Sequence, residues 1–176
     1  MENYLSIPIV EEFVRRVEEN PQHEDPIKAM AAGIFTHYFP LVDGFVIASK
    51  YTNQGNDFPG FVLRIQRRSP KNRGFVDHAF VEAKEEADDV SSSSSLDQLK
   101  NALEGPNAQV DRCWAVLIQG CNFQFYEYHR GLPDEGRLLP WKSPGQSTNV
   151  FHVRSDSAVI HGMLRHMAEN SMPPER

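Results

Sequence analysis

Six consecutive residues, Cys113-Trp114-Ala115-Val116-Leu117-Ile118, are apolar without interruption. A strand with one wet face alternates apolar and polar side chains, so this short unbroken run reads as a strand covered on both faces. A chain containing such a strand has to build a layer on each side of its sheet. Phe123 to Tyr128 follows across a short gap containing Gly120 and reads as the hairpin partner.

The covering layers are legible as helices. Val10, Phe13, Val14 and Val17 recur at spacings of three and four within Ile9 to Asn20, which predicts an amphipathic helix. In the next segment Asp25 is a candidate N-cap and Pro26 suits the first helical position. Ile27, Met30, Ala31, Ile34, Phe35 and Tyr38 then give a broad apolar face that stops at Pro40. Phe45 to Ala48, Phe61 to Gln66 and Phe75 to Lys84 read as three successive strands separated by turn residues. The tract Ser91 to Ser95 has no apolar anchor and reads as a mobile loop, followed by a short helix from Leu96 to Leu103. Gly131 to Asn149 is rich in Gly, Pro and Ser and reads as an irregular connection. Phe151 to Val153 adds a short strand, and Ser155 or Asp156 caps a last helix through Val159, Ile160, Met163, Leu164 and Met167.

The resulting order is two helices, three strands, a helix, two strands and a terminal helix, an α/β fold in which a mixed central sheet is flanked by helices. Its 176 residues suit a single domain spanning 1–176. Eighteen Lys+Arg against twenty-four Asp+Glu give a net charge of −6, so any nucleic-acid contact has to be local. The two cysteines, Cys113 and Cys121, have no metal-site spacing and read as reduced structural thiols. The N-terminus lacks a basic, long apolar leader, and no apolar run is long enough to cross a bilayer. The expectation is a cytoplasmic or nuclear protein with no membrane contact.

In the third strand His78, Phe80, Glu82 and Lys84 alternate onto one face. A carboxylate and an ammonium side by side at a strand end can hold a divalent cation and orient a water or a phosphate oxygen. With fourteen Glu and six Lys in the chain, chance alone gives about 0.5 Glu-x-Lys patterns, so the meaning rests on context. That context is a helix, a three-strand meander with Glu82-Ala83-Lys84 on its third strand, a helix with Gln98 near its start, and a buried strand. In this order, residues 26 to 128 resemble the PD-(D/E)xK nuclease-like superfamily, with its restriction-endonuclease-like αβββαβ core. Phe58 to Ile65 and Ala79 to Lys84 look like its second and third motif strands. The short length, serine tract and extra terminal helix are similar to those of small fungal members.

The resemblance implies a magnesium (or manganese) site for cleaving phosphodiester bonds in DNA or RNA. Glu82 would be a metal ligand, and Lys84 would position the attacking water. Active relatives carry Pro-Asp at the start of the second motif strand, where this chain carries Pro59-Gly60. Glycine has no side-chain oxygen, so the key acid is absent unless Asp57 replaces it from the preceding loop. Asp77 is a second candidate, but an odd offset from Glu82 sends it to the opposite face unless a bulge intervenes. Glu85, Glu86, Asp88 and Asp89 read as a solvated acidic loop. Some relatives carry a Gln followed four residues later by Tyr, whereas here Gln98 is followed by Ala102.

Arg64, Arg67, Arg68, Lys71 and Arg73 crowd ten residues without an acid. They could grip nucleic-acid phosphates, or form a charged tip that keeps the hairpin from pairing with other sheets. His161 and His166 are five apart and read as packing or surface residues, and Trp114, Phe123, Phe125, Tyr126 and Tyr128 as core. Two functional readings remain open. One is a catalytically lapsed nuclease-like domain, a pseudoenzyme acting as a binding or scaffold module for a protein partner or second copy. The other is an active metal-dependent nuclease using Glu82, Asp57 and Lys84.

Overall fold

The computed structural model describes residues 1–52, 60–69, 74–86, 92–105, 110–142 and 144–176, with the side chains of 50–52, 60–61 and 92–94 left aside. The apolar run forms β4 (Arg112–Gln119), whose six central residues are all buried. On one side it pairs in parallel with β3 (Phe75–Lys84), and on the other antiparallel with β5 (Asn122–His129). β1 (Phe45–Thr52) and β2 (Gly60–Arg68) extend the sheet beyond β3 as an antiparallel meander, giving the order β1-β2-β3-β4-β5. β2 and β5 run against the other three. Two short strands share the outer edge of β5: β6 (Leu138–Pro140) pairs with Tyr126–Tyr128 and β7 (Val150–His152) with Asn122–Gln124. This mixed sheet matches the general restriction-endonuclease-like topology.

One face of the sheet is covered by α1 (Pro8–Glu19), α2 (Glu24–Tyr38) and α4 (Ser157–Glu169), which share a core with Leu63, Val81, Val116 and Phe125. The other is covered by α3 (Ser92–Glu104), whose Leu99 and Leu103 pack on Val62, Phe80, Ala115 and Leu117. In α1 the buried residues are Val10, Val14 and Val17, one stripe along the helix. Since α3 connects two parallel strands, it supplies the long crossover that such a pair requires.

Several local expectations are corrected. α2 begins at Glu24, so Asp25 lies in its first turn and His23 takes the cap position without a side-chain hydrogen bond. Pro26 is tolerated there because the first N–H groups have no helical acceptor. α3 opens at Ser92 rather than Leu96, so Ser92 to Ser95 form its first turn instead of a loop; Ser91 lies outside the described residues. Ser95 is buried and supplies the anchor that hydropathy does not show. Asp156 does stand at the start of α4, but its carboxylate accepts the backbone N–H of His152 at 2.8 Å, not one from the helix. The Gly131 to Asn149 connection contains β6, followed by Trp141, whose N–H donates to Phe125 O at 2.8 Å.

Ile118 is fully buried in the face shared with α1, α2 and α4, whereas Val42 is 91% exposed. Urea unfolding should therefore show Ile118→Ala destabilised by about 2–5 kcal/mol, and Val42→Ala within about 0.5 kcal/mol of wild type. Equal effects at the two positions would be incompatible with this core.

Candidate functional site

β3 carries Glu82 and Lys84 onto the face beneath α3. Glu82 stands between Val62 of β2 and Leu117 of β4, and its side chain is completely buried. Lys84 Nζ lies 3.1 Å from Glu82 Oε1. Neither Glu82 oxygen accepts a well-aligned hydrogen bond, and the side-chain oxygen of Gln98 is likewise buried without a partner. Burial pushes the Glu82 acid up to about 7, against the opposing attraction of Lys84. Desolvation therefore outweighs the ion pair.

The strand end is fixed by the neighbouring β4–β5 hairpin. The N–H of Gly120 donates to Lys84 O at 2.9 Å, and Glu86 N–H donates to Pro21 O at 2.9 Å. Gly120 has φ +54°, and a Cβ there would stand 3.0 Å from Glu86 Cβ, so a side chain would strain the turn and press on the segment leaving Lys84. Gln119 neighbours Lys84 in the parallel register. Gln124 donates to Gln119 at 3.4 Å and accepts from Tyr126 Oη at 2.6 Å, making this end of the face polar.

The register also locates position 60. Val62 opposes Glu82, and alternation places 60 on the same face one step further along, beside Lys84. That place is held by Gly60. Asp57 and Pro59 lie outside the described residues, as do Asp88 and Asp89. Among the described residues no three His, Cys, Asp or Glu side chains gather as a metal-binding group. Magnesium is held through ionised oxygen donors. Apart from Asp77, whose oxygens are taken up by Arg64 and Gln66, the described part of this face offers only Glu82 as a carboxylate, and burial pushes that acid up to about 7. This described donor set does not fit a resident magnesium ion.

Asp77 reaches the Glu82 face after all. Ile65 pairs with Ala79 but Gln66 with Asp77, leaving His78 as an extra residue in β3. Beyond this bulge the Asp77 carboxylate accepts from Arg64 Nε at 2.5 Å, Arg64 Nη2 at 2.7 Å and Gln66 Nε2 at 3.0 Å. It belongs to that cluster and not to Glu82. Arg64 is held by the same fork, with its guanidinium carbon 5.8 Å from the Phe80 ring centre. Arg67 faces a cavity with its Nε buried and unpaired, while Arg68 is exposed and pairs along the backbone with Phe75. Lys71 and Arg73 lie outside the described residues. Glu82 lies seven residue steps along the strand from Phe75, about 23 Å at 3.3 Å per residue, so the hairpin and the Glu82–Lys84 pair occupy opposite ends of β3.

His161 and His166 have packing roles: His161 Nδ1 lies 2.6 Å from Tyr38 Oη, and the His166 ring meets Trp114 and Trp141. The sequence reading missed a further buried acid, Glu127, which lies 3.2 Å from His129 and is gripped by Arg176. Its signal was a charge on the same strand face as Phe123 and Phe125, where alternation demands an apolar residue.

No protein-family model matches the chain, and no curated protein or solved structure matches it either. Among the described residues no helix is long and apolar enough to cross a membrane.

Two buried groups give the chain an acid–base signature. His78 donates through Nε2 to Met167 O at 2.8 Å, its Nδ1 is buried and unpaired, and burial holds the imidazole down to about 4. Between about pH 4 and 6.5 the unfolded chain binds a proton on His78 that the folded chain refuses, so stability rises with pH. Between 4.5 and about 7 the folded chain keeps a proton on Glu82 that the unfolded chain releases, so stability falls with pH. The two slopes oppose each other from 4.5 to 6.5. Removing the acid with Glu82→Gln should make urea-derived stability climb more steeply with pH than in wild type, by about 2–3 kcal/mol across that window. Parallel profiles would mean that Glu82 titrates as an ordinary surface acid.

Proposed function

We propose that this chain is a catalytically lapsed PD-(D/E)xK-like domain that acts as a binding or scaffold module. The observation that carries this reading is glycine at position 60, on the face shared by Glu82 and Lys84. In the resemblance drawn from the sequence, an aspartate stands there in active relatives. Without it the described end of this face beside Lys84 has one buried carboxylate paired to one lysine. That pair is self-contained, and its acid is protonated in part at neutral pH.

One observation favours a second reading, an active magnesium- or manganese-dependent nuclease in which Asp57 supplies the missing oxygen. Neither Glu82 oxygen accepts a well-aligned hydrogen bond, and Lys84 stands beside Oε1 alone, so the buried carboxylate is left under-satisfied unless something further pairs with it. A cation would.

The two readings separate in a cleavage assay on single- and double-stranded DNA and RNA with manganese, comparing wild type, Glu82→Ala, Asp57→Ala and Gly60→Asp. The lapsed reading expects no activity above background in wild type and a gain confined to Gly60→Asp. Wild-type cleavage abolished by either Glu82→Ala or Asp57→Ala would establish the enzyme instead.

A further inference from the structure

A second buried charge cluster lies on the opposite face of the sheet from Glu82. Glu127 of β5 points toward the α4 side with only 2% of its side chain exposed. Its Oε1 accepts from Arg176 Nη2 at 2.8 Å, and its Oε2 from Arg176 Nε at 2.8 Å, a two-pronged guanidinium–carboxylate pair. His129 Nε2 lies 3.2 Å from the same Oε2. Arg112, directly across the strand pair from His129, donates to Pro173 O at 3.1 Å and lies 3.4 Å from Glu175 Oε1.

The two sides of this contact are built differently. Glu127, His129 and Arg112 are set on paired strands of the central sheet. The segment after Asn170 has no helix or strand, and its described contacts to the cluster are polar. Only Pro173 of this segment is buried; Ser171, Met172, Pro174, Glu175 and Arg176 are exposed, and Ser171 and Met172 wall a cavity of about 230 Å³ together with Arg67 and Arg112. Arg176 keeps half of its side chain in solvent, so the place it fills opens outward. A carboxylate buried as Glu127 is has a standing requirement for a cation, because removing the partner of a buried pair leaves an uncompensated charge.

We propose that Glu127, His129 and Arg112 form a receptor site for an extended peptide segment in which an acidic residue precedes an arginine, and that residues 173–176 occupy this site in cis. The recognition elements are explicit: the arginine forks onto Glu127, while the preceding acid and a carbonyl further back meet Arg112. Two prolines hold the occupying segment extended at small entropic cost. This site is separate from the Glu82–Lys84 end and does not depend on whether that end cleaves anything.

The probe is the peptide acetyl-Pro-Pro-Glu-Arg-amide, titrated into the full chain and followed by amide chemical shifts. In wild type the cis segment competes at an effective concentration in the millimolar range, so Arg176→Ala should bind the peptide at least about fivefold more tightly than wild type. A peptide with lysine in place of arginine lacks the fork and should bind at least about fivefold more weakly. Adding Glu127→Gln to Arg176→Ala should abolish binding. Should Arg176→Ala fold poorly, Arg176→Lys keeps the charge without the fork and should also bind more tightly than wild type. Absence of saturable binding to either Arg176 variant, or binding indifferent to Glu127→Gln, would overturn the proposal and leave the contact as a clasp for its own segment.

Discussion

The parallel pairing of β3 with β4 is the constraint from which the rest of the arrangement follows. Parallel neighbours cannot be joined by a hairpin, so the chain must leave the sheet and return across it, and α3 is that return. Its presence closes the second face of the sheet and turns β4 into a strand with no wet side. It also decides the fate of Glu82. The register that sets Glu82 against Leu117 on one side and Val62 on the other places a carboxylate in an apolar row under a helix. Its raised pKa follows from that position, with Lys84 reducing the effect without reversing it.

The bulge at His78 divides β3 into two chemically different halves. Toward the strand's end, regular alternation sends Glu82 and Lys84 under α3. Toward its beginning, the extra residue lets Asp77 reach Arg64 and Gln66 while His78 turns to Phe39, Phe45 and Met167 O on the other face. The Arg64 charge is thereby neutralised within the sheet. The local basic character of the β2–β3 hairpin, as far as it is described, rests on Arg67 and Arg68. Since these stand far along the strand from Glu82, a polyanion held there would have to follow the whole length of β3 to meet the acid.

The elements were legible in the sequence wherever one periodicity dominated, as in the valine stripe of α1, the apolar face of α2 and the unbroken run of β4. Legibility failed where a structure depends on a partner distant in sequence. Nothing local announces that Ser95 is buried, that Leu138 to Pro140 find the edge of β5, or that Arg64 is matched to Asp77 across a shifted register. The Glu82–Lys84 contact was readable because it is two residues long and needs only alternation. Glu127 was equally local as a signal, a charge between core aromatics. Its meaning depended on Arg176, forty-nine residues away.

The sign of the Glu82 displacement bears directly on what this end of the sheet holds. A shift from 4.5 to about 7 corresponds to about 3 kcal/mol against the charged form, so one lysine at 3.1 Å does not offset the loss of water. A divalent cation beside the same oxygens would add a much larger attraction and favour ionisation, driving the displacement the other way. An aspartate at position 60 without a cation would act in the opposite sense, adding like charge and pushing Glu82 further up. Glycine there adds no such repulsion and offers no side-chain oxygen. With no cation beside it, a buried Glu82 is stabler next to glycine than next to a second acid, and Gly60 is therefore the neighbour that electrostatics favours for a carboxylate paired to Lys84 alone.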